Sequence, residues 1–330
     1  TEVELPFIRQ LEQEGWDYIE GSLEEPAVTH RETFAQVIME SLLRERLVTI
    51  NTRNGSPWLD ERRVDQAVSA ITRLPANKVM EANQLATELL HGGITVEGLP
   101  DWDSGRGQTI QFIDWVNPEN NTFTVVNQFK VKCPPGHDGW KGHVIPDLVL
   151  FVNGIPLVVV ECKGRTVHEG LTDAVDQLRR YHDQRYHDLE VGEHEGAPAL
   201  FSTNQFMVAS NFDDARVGTI GAGFGHYLNW KTVVPRSEAE VAEKLGVSSL
   251  SSQQRLIAGL LPPANLLDIV RHFMLFMSTG GQTIKLVCRY QQYRAVTLAV
   301  QRLKTGKTRI EDGEHDRRGG IIWHTQGSGK

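Results

Sequence analysis

Residues 143–164 read HVIPDLVLFVNGIPLVVVECKG, which is two apolar runs separated by Asn153-Gly154. Asn-Gly between two apolar runs is the strongest short signal for a β-hairpin, because both residues tolerate the positive φ of a tight turn. The runs are nearly continuous rather than alternating, as is typical of strands that are buried on both faces of a sheet. The sequence therefore predicts a buried hairpin that runs from His143 to Gly164.

Three charged side chains interrupt this hairpin. Asp147 follows Pro146 within the first apolar run, where an ionised carboxylate is costly to bury unless it is paired or binds a metal ion. Glu161 and Lys163 end the second run two residues apart, so their side chains project from the same face. Because the turn is tight, the end of the second strand lies beside Asp147, and two carboxylates are predicted to meet an ammonium group.

This set of groups suits the hydrolysis of phosphodiester bonds. Carboxylate oxygens are ligands that Mg²⁺ prefers, and the backbone carbonyl of Cys162 can supply another. The ion polarises the phosphate and lowers the pKa of the attacking water, while Lys163 can orient that water or stabilise the developing charge. We predict a nuclease site in which Asp147, Glu161 and Lys163 are catalytic and both carboxylates bind the metal. A surface ion pair at a strand end is the alternative interpretation.

The pattern Pro146-Asp147 followed by Glu161-Cys162-Lys163 resembles the motif of the PD-(D/E)xK nuclease superfamily. The order of helix, hairpin strands and following helix also fits that superfamily. The resemblance implies an α/β fold whose core is a mixed β-sheet flanked by helices. Many members carry a further acidic residue on the first helix. Glu4 is the residue that this resemblance makes an additional metal ligand, with Glu2 as the alternative.

Gln177 and Tyr181 lie on the predicted helix after the hairpin, one turn apart and therefore on one face. This Gln-x-x-x-Tyr pattern resembles the RecB-like branch of the superfamily. The resemblance implies that both side chains support the active site and contact DNA. An ordinary half-buried helix face is the alternative.

The sequence WHTQGSGK spans Trp323 to Lys330 and follows a predicted short strand, Ile321 to Trp323. Glycines at 327 and 329 can curve the backbone so that its N–H groups surround phosphates, with the lysine on the β- and γ-phosphates. The expected first glycine of G-x-x-x-x-G-K is replaced by His324. The predicted ATP-binding residues of this loop are Gly327, Ser328, Gly329 and Lys330.

Gln292 stands in a run, Arg289 to Tyr293, that resembles the adenine-reading Q-motif of superfamily 2 helicases. It is therefore assigned to ATP binding, with a polar helix N-terminus as the alternative.

Together these features resemble the restriction (R) subunit of type I restriction–modification enzymes. The resemblance implies a Mg²⁺-dependent endonuclease that hydrolyses unmodified foreign double-stranded DNA after ATP-driven translocation. It also implies partnership with methyltransferase (M) and specificity (S) subunits. Two alternatives remain, a DNA-repair helicase-nuclease of the same superfamily and a nuclease-like module that only docks DNA or partner proteins.

The predicted organisation has three parts. Residues 1–235 form the nuclease domain, 236–263 a connector, and 264–330 the beginning of a RecA-like superfamily 2 helicase domain that stops at the phosphate loop. Within these parts, the apolar spacing predicts helices over 29–48 and 264–277.

Composition sets limits on this interpretation. The 330 residues carry a net charge of −8, so bulk electrostatics cannot coat DNA, and a basic groove or a partner must supply the grip. No run reaches the roughly 18 apolar residues of a membrane span. The three cysteines are odd in number and far apart in sequence, which favours a reducing cytoplasm over a disulfide framework.

Overall fold

The computed structural model of the protein describes residues 2–75, 78–101, 103–137, 142–184 and 194–323. No helix in these ranges is both long enough and apolar enough to cross a membrane. The predicted phosphate loop, Gly327 to Lys330, lies outside the described residues.

Helices and strands alternate along the described chain. The α-helices are α1 Glu4–Gln13, α2 Glu40–Ile50, α3 Glu61–Thr72, α4 Val79–Gly92, α5 Gly170–Tyr181, α6 Glu238–Leu245, α7 Ser252–Leu260, α8 Pro263–His272, α9 Tyr290–Thr305 and α10 Arg309–Asp312. The β-strands are β1 Asp17–Ile19, β2 Thr52–Arg53, β3 Ser56–Pro57, β4 Ile94–Val96, β5 Gln108–Ile110, β6 Phe123–Asn127, β7 Val131–Lys132, β8 His143–Val144, β9 Leu148–Val152, β10 Ile155–Cys162, β11 Phe206–Ser210, β12 Ala215–Gly218, β13 Leu228–Asn229, β14 Met274–Thr279 and β15 Gln282–Val287.

A mixed sheet forms the centre of the molecule. Its strands lie in the order β1, β6, β9, β10, β11, β12, β13. The pairs β1–β6 and β10–β11 are parallel, and the other neighbours are antiparallel. The predicted α/β class with a mixed sheet and flanking helices is therefore observed.

The Asn153-Gly154 turn joins β9 to β10 as predicted, with φ values of 52° and 79°. A Cβ on Gly154 would lie 2.7 Å from the backbone oxygen of Met39, so glycine is required for space as well as for φ. The Asn153 amide is fully buried and donates to the carbonyl of Phe112 at 2.9 Å. The turn is thus a packed element of the core, which makes the register of the hairpin rigid.

Both faces of β10 are covered. Val158 and Val160 belong to a core cluster that includes side chains of α1, α7 and α8, whereas Val159 belongs to the cluster that includes side chains of α5. This double burial explains why the strand is apolar at consecutive positions. It also leaves the carboxyl end of β10 as the point where charged side chains emerge between helices.

The first half of the hairpin differs from the prediction. His143–Val144 forms the separate strand β8, which pairs with β7, and β9 begins only after Asp147. Pro146 has no N–H for a ladder hydrogen bond and restricts the residue before it, so the strand breaks there. Asp147 therefore precedes the strand rather than lying inside it.

Two helix predictions were wrong in part. In the range 29–48, regular α-helix starts only at Glu40, because Arg31 donates to the carbonyl of Lys130 and the Met39 N–H donates to the carbonyl of Gly154. In the range 264–277, the helix ends at His272 and the chain turns into β14, which pairs with β15 around Gly280-Gly281. The two glycines, with φ values of 56° and 78°, allow a tight reversal that helical spacing did not reveal.

The strand predicted at Ile321 to Trp323 is also not observed, since these residues have no regular secondary structure. Their side chains are exposed, Ile321 by 93% and Trp323 by 90%. Within the described ranges no strand pairs with this segment, and an isolated strand is not stable in water.

The division at residues 235 and 263 stays a prediction. Side chains of α7 and α8 share one core cluster with the hairpin.

His182 caps α5 and is fully buried. Its Nδ1 lies 2.7 Å from the carbonyl of Leu178, and its Nε2 lies 3.3 Å from the backbone N–H of Gly221. The ring is therefore neutral, with Nδ1 as the donor and Nε2 as the acceptor. Burial lowers the pKa of His182 to about 4, and the nearby Arg179 charge acts in the same direction.

We expect the free energy of unfolding to fall as the pH falls from about 6.5 to about 4. Over that pH range the His182 imidazole is protonated in the unfolded chain but not in the folded chain. This difference lowers the free energy of unfolding by about 3 kcal/mol. Chemical denaturation between pH 4 and 7 should show this slope in the wild type. The slope should be smaller in His182→Gln and unchanged in His272→Gln, whose ring is exposed. Equal slopes in the wild type and His182→Gln would contradict the assignment.

Candidate active site

Asp147 lies across from the end of β10. Its Oδ2 accepts the backbone N–H of Cys162 at 2.7 Å, and its Oδ1 accepts the side-chain amide of Gln128 at 3.3 Å. The carboxylate is thus fixed beside the Glu161-Cys162-Lys163 tripeptide, as the hairpin predicted. The sequence analysis missed Gln128, because an amide just after a strand carries no motif of its own.

Glu161 is 1% exposed and is the last buried residue of β10. Its Oε1 lies 2.8 Å from the Lys163 ammonium, which also donates to Gln177 Oε1 at 2.5 Å. The backbone N–H of Lys163 donates to the carbonyl of Ser210 at 2.9 Å, which extends the contact with β11. The parallel neighbour strand therefore positions the lysine after β10 ends.

Gln177 and Tyr181 face the site from α5, as the one-turn spacing predicted. The Gln177 amide nitrogen donates to the Tyr181 hydroxyl, which lies 3.2 Å from Glu161 Oε2. Together with the Lys163 contacts, these bonds close a ring of four side chains. Burial raises the pKa of the Tyr181 phenol, so this residue stays protonated. The DNA contact implied by the resemblance stays a prediction.

Crowding of buried carboxylates changes their titration. Burial, and after it the neighbouring Asp147, raise the pKa of Glu161 to about 8, although the Lys163 ammonium acts in the opposite direction. Burial also raises the pKa of Asp147, although the Cys162 N–H opposes the shift. A site that places two carboxyl groups in a poorly solvated space favours a compact divalent cation, so this donor set fits Mg²⁺.

Glu4 belongs to the same cluster. It is the first residue of α1 and is 6% exposed, whereas Glu2 is exposed. Its Oε1 lies 3.5 Å from the side-chain amide of Asn127, at the end of β6. After burial, the carboxylates of Asp147, Glu161 and Glu4 all contribute to the raised pKa of the Cys162 thiol. Glu4 therefore lies near Cys162, and its role as a third metal ligand stays a prediction.

The role of the Cys162 backbone carbonyl as a metal ligand stays a prediction. Gln292 has a structural task in the described chain. It lies in the first turn of α9, where its Oε1 accepts the backbone N–H of Arg289 at 2.8 Å. That contact caps the helix, and a role in adenine recognition stays a prediction.

Comparison with known protein families gives two matches, each to a different part of the chain. Residues 1–226 match the family described as type I restriction enzyme R protein N terminus. Residues 291–330 match the SWI2/SNF2 ATPase family.

The chain is also similar to curated proteins. It is 32% identical over 336 residues to the type I restriction enzyme HindI endonuclease subunit of Haemophilus influenzae, and the match covers 100% of the chain and 29% of that protein. It is 24% identical over 221 residues to a type I restriction enzyme endonuclease subunit of Staphylococcus aureus, with coverage of 67% and 19%. The chain thus spans about a third or less of the curated relatives that it matches.

Proposed function

The chain belongs to the type I restriction enzyme R protein N-terminal family, and from this premise we propose that its hairpin carries a Mg²⁺-dependent DNA endonuclease site of the PD-(D/E)xK type. One observation carries the proposal. The buried carboxylate of Glu161 and the ammonium of Lys163 are 2.8 Å apart beside Asp147, at the end of the central strand. A surface ion pair would not require burial of the glutamate.

Asp147 and Glu161 would hold the metal ion, and the Cys162 carbonyl and Glu4 would offer further oxygens. When bound, Mg²⁺ supplies polarisation of the scissile phosphate and lowers the pKa of the attacking water. The fit rests on the donor set, since these are hard oxygen groups whose mutual repulsion a divalent cation relieves.

Lys163 would stabilise the charge that develops on the phosphate. Glu161 and Gln177 hold its ammonium from two sides, so it needs little reorganisation when the charge appears. Tyr181 holds the second oxygen of Glu161 and anchors Gln177. The helix α5 would therefore keep the catalytic lysine in place.

In the whole protein we place this site in an ATP-dependent restriction complex. The names of the similar curated proteins and the SWI2/SNF2 match to residues 291–330 support that part. Gln292, Gly327, Ser328, Gly329 and Lys330 would then contribute to ATP binding. The substrate would be unmodified foreign double-stranded DNA in the cytoplasm, and the partners would be M and S subunits.

Plasmid cleavage by the complete complex tests the proposal. Wild-type complex should cut only with Mg²⁺ and ATP, and Asp147→Ala should retain ATP hydrolysis but lose cutting. Asp176→Ala removes an exposed carboxylate from α5 and serves as the matched control. Wild-type cutting by the Asp147→Ala complex would overturn the proposed site.

We also expect the Mg²⁺ affinity of the chain to rise with pH. Burial raises the pKa of Glu161 to about 8, so below that pH the ion must displace a proton. The affinity should increase by about tenfold per pH unit between pH 6 and 8. Calorimetric titration in buffers of different ionisation enthalpy measures the released proton. Proton release by Glu161→Gln equal to that of the wild type would contradict this expectation.

A further inference from the structure

Two histidines and an aspartate converge beside the C-terminal end of α5. His137 follows a turn after β7, Asp183 lies two residues after α5, and His194 lies three residues before Ala197. One ligand atom from each residue lies within 4.8 Å of the other two. The carboxylate site described above uses none of these groups.

The distances between the nitrogen and oxygen atoms of these three residues suit a metal ion that forms short bonds. His137 Nδ1 lies 3.1 Å and His194 Nδ1 lies 3.9 Å from Asp183 Oδ2. Ligand atoms at about 2.0–2.1 Å from a tetrahedral zinc ion are roughly 3.3 Å apart. These two distances lie on either side of that value, and all three atoms lie within 4.8 Å of one another. His137 Nδ1 also lies 3.1 Å from the carbonyl of Gly196, so this nitrogen would exchange that contact for the ion.

Asp183 is oriented as a ligand. Its Oδ1 accepts two backbone N–H groups, that of Glu195 at 2.9 Å and that of Gly196 at 2.7 Å. Its Oδ2 is left to face the two imidazole rings. Hydrogen bonds of this kind, which hold the far side of a ligating group, are typical around bound metal ions.

We propose that His137, Asp183 and His194 form a second metal site, for a divalent transition metal such as Zn²⁺. Two imidazoles and one carboxylate suit zinc, whereas the hard Mg²⁺ prefers all-oxygen sites. A water molecule completes the coordination of such a three-ligand site. The site is separate from the Asp147 and Glu161 carboxylates in both residues and metal preference.

The proposed ion would clamp two loops onto α5. The backbone N–H of Ala197 donates to the carbonyl of Tyr181 at 2.9 Å, so the segment after His194 already contacts the end of the helix. The His137 turn already reaches this segment, because His137 Nδ1 lies 3.1 Å from the carbonyl of Gly196, and the ion would hold the turn there more firmly. The clamp would thereby steady the helix that presents Gln177 and Tyr181 to the carboxylate site.

Zinc binding to the full chain tests the proposal. Chain freed of metal with a chelator is titrated with Zn²⁺ against a chromophoric competitor, in excess Mg²⁺. Co²⁺ provides a visible spectrum that reports nitrogen and oxygen ligation. We expect a stoichiometric zinc ion in the wild type and in Asp147→Asn. The affinity should fall by more than about 100-fold in His137→Ala and in His194→Ala.

His168→Ala removes an exposed histidine near the start of α5 and is the control. His194 is 68% exposed, so its replacement should leave the fold intact, and circular dichroism verifies this. Zinc affinity that is unchanged in both histidine variants would overturn the site. Zinc binding that is lost in Asp147→Asn would place the ion at the carboxylates and would also overturn it. The nuclease proposal is tested separately, by plasmid cleavage.

Discussion

Lys163→Ala is expected to slow DNA cleavage by about 10²–10³-fold, the usual effect of removing a preorganised group that stabilises transition-state charge. The ammonium bridges Glu161 and Gln177 and is the positive group beside the buried carboxylates. Its loss should leave DNA affinity nearly unchanged, since a single charge contributes little to binding over a long duplex. Single-turnover cleavage and filter binding with the complete complex measure the two quantities separately.

Three companion variants sharpen this experiment. Lys163→Arg keeps the charge but not the compact ammonium, so it should recover only part of the rate. Gln177→Ala frees the ammonium without removing it and should cost less than Lys163→Ala. Lys231→Ala removes an exposed lysine and should cut like the wild type. Undiminished cleavage by Lys163→Ala would favour the module that docks DNA without cutting it.

Lys285→Ala is expected to lower the free energy of unfolding by at least about 4 kcal/mol. Lys285 lies in β15 and is 2% exposed. Its ammonium donates to Asn83 Oδ1 at 2.7 Å, to the carbonyl of Asn204 at 2.9 Å and to Gln205 Oε1 at 3.1 Å. Burial holds the pKa of this lysine well below its usual range. Truncation would leave three buried acceptors facing a cavity.

Denaturant unfolding of the chain measures this loss. Lys285→Met fills most of the volume without donating, so the difference between the two variants separates the cavity from the lost hydrogen bonds. Lys304→Ala removes an exposed lysine of α9 and should be neutral. A change below about 1 kcal/mol in Lys285→Ala would mean that water or the amides replace the ammonium without cost.

The part of the site that local sequence encodes was predictable. The Asn153-Gly154 turn fixes which residues of the two strands face each other, so Asp147 had to meet the Glu161-Cys162-Lys163 end. Helical spacing likewise put Gln177 and Tyr181 on one face. These inferences need only the geometry of a turn and a helix, and no knowledge of distant contacts.

The remaining parts of the site depend on contacts between residues that are far apart in the sequence. The helix α1, which carries Glu4, packs against α7 about 250 residues later, and no local pattern encodes this contact. The three groups of the proposed zinc site are similarly scattered, with His137 far in sequence from Asp183 and His194. Their irregular spacing fits no zinc motif, so the sequence alone carries no signal for this site.

The closed ring of Lys163, Gln177, Tyr181 and Glu161 constrains how the protein can vary. Each member bonds two others, so any single replacement breaks two links and leaves two neighbours without their partner. A change from one functional set of these four residues to another would therefore require substitutions at two positions together. We expect lineages descended from a common ancestor to retain all four residues or to exchange them in pairs. Selection from a library randomised at these positions should recover few variants with one change.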